Sequence, residues 1–358
     1  MDILDNYCNQ AVSFLEKMVR IPSVSYHEEQ RADFIVKYLQ REGINIKRTG
    51  NNIIATLDIV NHGMPTLMLN SHIDTVTAVK SYTFDPVNPP LSADKVLGLG
   101  SNDAGGCVSS MIHTFLYFAE NKDIYKTLNV NIALVLSAEE ERSGDTGMTG
   151  IADSLTRFVD YAIIGEPTSM NAAIAERGLL VIDAVSKGKS GHAARNEGVN
   201  ALYIAIDDIE KLRNYRFAKK SPLMGEVKMT VTQIEAGTAH NVIPDNCRYV
   251  VDIRPTDCYT NQEIFNILMN ELKSDLSPRS LTNKTSSTPE GHHLIKTINK
   301  LNITSYISPT TSDWMRLALP AIKMGPGESS RSHKEDEYIL KSEIFKGVEG
   351  YINFIKEL

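Results

Sequence analysis

The chain of 358 residues contains no apolar run near the roughly 18 residues that a membrane-spanning helix requires, which excludes an integral helical membrane protein. Cysteine is scarce. The four present, Cys8, Cys107, Cys247 and Cys258, include no pair at Cys-x-x-Cys spacing, which argues against a disulfide framework and a thiolate zinc site. They are expected to be reduced, mostly structural thiols. Met1 to Gln10 carries Asp2 and Asp5 but no Lys or Arg, so the basic segment and apolar core of a secretory leader are missing and the cytoplasm is the expected compartment. Positive charge is also in deficit. With 37 Lys and Arg against 44 Asp and Glu, the net charge of −7 argues against a nucleic-acid partner, and Lys219-Lys220 reads as part of a solvated loop.

What remains is an ordinary water-soluble composition, 42% hydrophobic and 23% charged, long enough for about two domains. The first 165 or so residues alternate helical and strand patterns, which favours a mainly parallel or mixed sheet with helices packed on it. Ala11, Phe14, Leu15, Met18 and Val19 follow helical spacing, and the pattern stops before Pro22. A second helix is expected over 28–41 with Gly43 as its stop, and a third opening at Gly105-Gly106. From about Thr168 to Asn283 the order becomes strand, helix, strand, strand, helix; Thr260 with Glu263 forms a capping-box signature there. After Lys284 the first pattern returns. The expected division is therefore residues 1–168 with 284–358 as one domain, and 169–283 inserted into it.

Five metal-ligating side chains, His72, Asp103, Glu140, Glu166 and His333, fall at or shortly after the ends of short apolar runs, and none lies in the inserted block. In open α/β sheets, chemistry collects beyond the carboxyl ends of strands, so residues distant in sequence can converge there. Each motif taken singly has a plainer reading. His72-Ile73-Asp74 puts two polar side chains on one face of an extended segment, either as a metal ligand with its orienting carboxylate or as a buried hydrogen-bonded pair. The glycines around Asp103 suit a tight turn or a phosphate loop, but the segment lacks the Walker lysine and the dinucleotide-binding glycine spacing. Glu139-Glu140-Glu141 is either a solvated loop or a strand-end run in which one carboxylate binds metal while Glu139 acts as general base. Two histidines and three carboxylates suit a pair of divalent ions better than a closed structural zinc site. Two ions about 3.5–4 Å apart can share a carboxylate and bring a water to a pKa of about 7, so hydrolysis is the expected reaction.

These motifs carry a resemblance. Ser71-His72-Ile73-Asp74, the segment Gly98 to Gly106, Ala138-Glu139-Glu140, Gly165-Glu166-Pro167-Thr168, Gly188 to His192, Asn241-Val242-Ile243-Pro244 and Ser332 to Glu337 together resemble the M20 metallopeptidases. Within that family, the likeness is to the branch of acetylornithine deacetylase, succinyl-diaminopimelate desuccinylase and the aminoacylases. The resemblance implies a zinc-peptidase-like α/β catalytic domain with an inserted α+β, ferredoxin-like lid through which a homodimer forms. It also implies two zinc ions, with cobalt as a substitute. Asp103 would bridge them, His72 and Glu166 would hold one, and Glu140 and His333 the other. Glu139 would be the base, Asp74 would orient His72, and His192 would stabilise the oxyanion, in its own subunit or its partner's. Arg177, Arg254 and Asn241 are the expected substrate contacts, the two arginines being equally readable as salt-bridge partners.

One departure is Ala104-Gly105, where many relatives carry a larger residue followed by Lys; its effect is expected on the surroundings of the metals more than on their binding. The expected substrate is a small N-acyl-L-amino acid, an acetyl- or succinyl-ornithine or citrulline in arginine biosynthesis. A diaminopimelate desuccinylase, a dipeptidase or an aminoacylase is the alternative. A non-catalytic, metal-stabilised binding protein is the reading from another class, and an acid beside all five ligands counts against it.

Overall fold

The computed structural model describes residues 3–57, 60–195 and 197–358; Met1, Asp2, Asp58, Ile59 and Asn196 lie outside them. The chain divides into two units. The first comprises Met1–Ala175, Ser287–Tyr306 and Ser312–Leu358, and the second Glu176–Ser286 with Ile307–Thr311. The first unit keeps residues up to Ala175 because the strand Ala172–Glu176 joins its sheet, with Ala173 opposite Lys323.

The first unit is built on a nine-stranded mixed sheet whose centre is parallel. Strands Asn131–Ser137, Thr66–His72, Tyr161–Ile164 and Ala321–Lys323 lie side by side in that order and run the same way. Their residues are almost continuously apolar and buried, as expected of strands covered on both faces. Because they are parallel, their carboxyl ends, Ser137, His72, Ile164 and Lys323, share one edge of the sheet. Helix Gly106–Glu120 is buried from Gly106 through Phe118 and contacts helices Ile3–Met18 and Lys341–Lys356 as well as the sheet. Apolar residues all round this helix, Val108, Met111, Ile112, Phe115, Leu116 and Phe118, leave it no solvent face.

The helix expected over 28–41 runs from Glu29 to Arg41, with Gly43 at φ +75° just beyond it. Lys95–Leu97 carries the short apolar run before Asp103. It is a strand, but it pairs antiparallel with Tyr338–Leu340 in a separate two-stranded ribbon and takes no place in the main sheet.

The second unit has the order strand, helix, strand, strand, helix, strand. Strand Leu180–Lys187 is followed by helix Ala201–Asn214, strands Lys228–Ala236 and Asn246–Arg254, helix Asn261–Glu271 and strand Asp275–Pro278. The four strands form one antiparallel sheet in which the first lies between the third and the fourth, the ferredoxin-like arrangement. Alternation places Leu180, Ile182 and Ala184 in the core with Ala201, Ala205, Leu212, Ile264 and Leu268 of the helices. Asn200 caps the first helix through Leu202 N, and Thr260 and Glu263 close a reciprocal capping box on the second.

Candidate metal centre

The shared sheet edge gathers most of the candidate ligands. His72 ends its strand opposite Ser137, Glu139-Glu140-Glu141 follow Ser137 by two to four residues, and Glu166 follows Ile164 by two. Asp103 arrives from the neighbouring ribbon on the turn Ser101–Gly105, and His333 lies on the loop after Ala321–Lys323, held at φ +60°.

Two triads of ligand atoms result, each with its atoms within 4.8 Å of one another: His72, Asp103 and Glu166, then Asp103, Glu141 and His333. Asp103 belongs to both. His72 Nε2 is 3.2 Å from Asp103 Oδ1, and its Nδ1 is 3.3 Å from Asp74 Oδ1. His333 Nε2 lies 2.9 Å from Glu141 Oε2 and 3.8 Å from Asp103 Oδ2.

The electrostatics fit a cationic occupant. Burial raises Glu166 to about 8, with Asp103 adding to the shift, and burial with Glu166, Glu141 and Asp313 nearby pushes Glu140 well above the usual carboxylate range despite His72. Burial alone would lower His72, but hydrogen bonds to Asp103 and Asp74 outweigh it and hold the imidazole well above its ordinary value. The bond to Glu141 is the main cause that lifts His333 to about 9. Divalent cations here would keep the carboxylates ionised and the imidazoles neutral, which inverts each of these shifts.

Within the glutamate run, the expected assignment shifts by one residue. Glu140 belongs to neither triad, and Glu141 stands in its place. The reason is the turn. Glu139 sits at φ +59°, and its carboxylate folds back to accept from Thr146 N at 3.1 Å and from Thr146 Oγ1, beneath Gly144. Its own N–H donates to Glu28 Oε1 at 3.3 Å. Glu139 is thus occupied in holding the turn, whereas the Glu140 carboxylate has no hydrogen-bond partner among the described residues. Asp74 orients this run as well as His72, accepting from Glu140 N and Glu141 N at 3.1 Å each and from Ser25 Oγ at 2.7 Å.

The second unit's candidates are placed separately. His192 lies on a short ribbon with Val242 opposite, and its Nδ1 accepts from Ala194 N at 3.1 Å, which leaves the proton on Nε2. The Asn241 carbonyl accepts from Ala193 N at 3.0 Å. Both arginines, read equally as grips for a substrate carboxylate or as salt-bridge partners, have protein partners here. Arg177 is buried and donates to the carbonyls of Met224, Glu226 and Arg254, while Arg254 is paired with both oxygens of Asp252 at 2.8 and 2.9 Å.

Three buried acids near the site were given no role by the sequence reading: Glu28, Asp313, and Glu337 at the end of the His333 motif. Asp313 is raised to about 6 by burial, against a hydrogen bond from Ser137 Oγ. A single acid beside the apolar pair Trp314-Met315 was the available signal.

Comparison with known proteins points to metallopeptidases. Residues 174–280 match the model of the M20 peptidase dimerisation domain, and residues 52–159, which carry His72, Asp103 and the glutamate run, match that of peptidase family M28. The chain is 26% identical to a peptidase M20 domain-containing protein of Schizosaccharomyces pombe, over 95% of this chain and 82% of that one. The chain belongs to the M20 metallopeptidase family. Among M20 relatives, acetylornithine deacetylase of Shigella sonnei is 26% identical over 92% of this chain and 94% of its own. Succinyl-diaminopimelate desuccinylase of Orientia tsutsugamushi is 22% identical over 92% and 85%. The fold matches a tripeptidase from Staphylococcus aureus with a TM-score of 0.79 at 18% identity, 98% of each chain being covered. It also matches a dinuclear metal-binding M20 peptidase of Bacillus subtilis with a TM-score of 0.72 at 13% identity, again over 98% of each. As a member of this family the protein is a metal-dependent hydrolase.

Proposed function

We propose that this M20 hydrolase cleaves the amide bond of an N-acyl-L-amino acid, adding water across the acyl C–N bond to release a carboxylate and a free α-amine. The observation that carries the reading is the pair of triads sharing Asp103, with the Glu140 carboxylate feeling the charges of His72, Glu166 and Glu141. His72, Asp103 and Glu166 would hold one zinc ion and Asp103, Glu141 and His333 the other, with cobalt as a substitute. The bound pair supplies Lewis acidity for the substrate carbonyl and lowers the pKa of water toward about 7.

The chain's own residues do the rest. Glu140 takes the proton from the attacking water and returns it to the leaving nitrogen, the two-way task of a general base kept ionised by the neighbouring cations. Asp74 keeps Nε2 of His72 turned toward Asp103 and holds the Glu140-Glu141 backbone in place. His192, with its proton on Nε2, would be the donor for the carbonyl oxygen as it becomes an oxyanion, in its own subunit or its partner's. The dimerisation-domain match supports a homodimer, and the four free cysteines suit a cytoplasmic setting. No helix among the described residues is long and apolar enough to cross a membrane.

The acetylornithine deacetylase relative favours an acylated ornithine or citrulline as substrate, and the desuccinylase and tripeptidase matches supply the competing substrates. Zinc- or cobalt-loaded protein is therefore offered N-acetylornithine, N-acetylcitrulline, N-succinylcitrulline, N-succinyl-diaminopimelate and two peptides. Preferred hydrolysis of an acylated ornithine or citrulline is expected. Preference for the diaminopimelate or a peptide would overturn the substrate class, and silence across the panel would overturn the reading as an N-acyl-amino-acid hydrolase.

A further inference from the structure

The shared ligand, Asp103, sits on a turn with little regular hydrogen bonding. Asp103 and Ala104 have non-helical backbone angles (φ −116°, ψ 99° and φ −117°, ψ 33°), so the turn cannot satisfy its own amides as a helix would. Three of these amides converge on one side chain. Glu337, 2% exposed, accepts from Asn102 N and Asp103 N through Oε1 at 2.9 Å each and from Gly100 N through Oε2 at 3.0 Å. Its backbone carbonyl takes Gly98 N at 3.0 Å, and the next three residues pair with Lys95–Leu97. His333, the outer ligand of the second triad, is four residues upstream.

We propose that Glu337 is a positioning residue of the metal centre: its carboxylate staples the Gly100–Asp103 turn and thereby fixes the shared ligand relative to His333. The inference rests on the two-metal reading above. A carboxylate suits the place because it offers acceptors only. Three buried N–H groups left without them would be unsatisfied, so a turn without Glu337 would shift to find other partners and carry Asp103 with it. A glutamine is nearly isosteric, yet its amide nitrogen turns a donor toward one or two of those N–H groups. The distinction is therefore chemical and testable at constant shape.

The experiment compares cobalt-loaded wild type with Glu337→Gln and Glu337→Asp. In Glu337→Gln the visible cobalt spectrum is expected to change in band position or intensity, because the shared ligand moves. Its kcat should fall roughly 10- to 100-fold, as for a misplacement near 1 Å, with KM within about twofold. Glu337→Asp keeps the charge and should recover part of both. A Glu337→Gln protein with the wild-type spectrum and kcat would overturn the proposal.

Amide hydrogen exchange on the metal-free wild type remains decisive should the variants fail to fold. Gly100, Asn102 and Asp103 amides are expected to be as protected as those of the adjoining strand, and free exchange at all three would overturn the proposal. Failure of wild type to bind cobalt would instead refute the two-metal reading, so the two failures are distinguishable.

Discussion

His113 shows how much a single buried group can contribute here. It lies wholly inside helix Gly106–Glu120, donates from Nδ1 to Ser109 O at 2.8 Å and accepts from the Tyr38 hydroxyl at Nε2, 2.9 Å away. A second ring proton would displace the proton that the Tyr38 hydroxyl donates to Nε2, and burial lowers the folded pKa from 6.5 to about 4. The unfolded chain then binds more protons between those values, so this stability is full above pH 6.5 and is lost as pH falls toward 4. The loss amounts to about 3 kcal/mol at 1.36 kcal/mol per unit of pKa. Denaturant unfolding measured from pH 7 to 4 should show it, and His113→Gln should flatten the slope over that window. An equal slope in the variant would place the acid sensitivity elsewhere. Residue identity was the least legible scale at the site itself. Three consecutive glutamates are chemically identical in sequence, and only the backbone distinguishes them: Glu139 at φ +59° folds back on Thr146, and Glu141 turns to His333. The engagement of Arg177 was illegible for a related reason, because its carbonyl partners on Met224 and Glu226 are fixed by tertiary placement, whereas Asp252 lies two residues from Arg254 on the same strand.

At the level of elements, patterning was readable wherever one face or one run is buried. The helix through Met18, the Thr260–Glu263 box and the strand before the glutamates all follow from spacing and caps. The ribbon of Lys95–Leu97 was not readable, because a short apolar run does not disclose its partner, and that partner is 241 positions on, at Tyr338–Leu97. The turn between this ribbon and helix Gly106–Glu120 imposes its own demand. A Cβ at Gly105 would lie 2.3 Å from Gly100 O and 2.8 Å from Leu15 Cδ1, so the backbone carrying Asp103 must move to admit it. Gly105→Ala is therefore expected to weaken metal binding roughly 10- to 100-fold, the range seen when support for a ligand is lost. Competition with a chromophoric chelator measures this, and unchanged affinity would show that the turn tolerates the shift.

Across the whole molecule, the topology explains why so scattered a ligand set can meet. The chain leaves the first unit after Ala175 and returns at Ser287, yet residues from before and after that excursion belong to one parallel sheet, through the pairing of Ala321–Lys323 with Tyr161–Ile164. Parallel neighbours must present the same ends together, so strand order does for His72, Glu141 and Glu166 what sequence proximity could not. The recurrence of acids and imidazoles after apolar runs made this edge legible, whereas the exact donor at each position depended on turns.

The most direct test of the two-metal hydrolase is metal content measured together with turnover in Glu139→Gln, Glu140→Gln and Glu141→Ala. The account predicts two metals per chain in wild type and in Glu140→Gln, with turnover in the latter reduced about 100-fold or more. Glu141→Ala should retain only one metal, and Glu139→Gln should keep both metals and substantial activity. Full activity in Glu140→Gln, or two tightly held metals in Glu141→Ala, would contradict it.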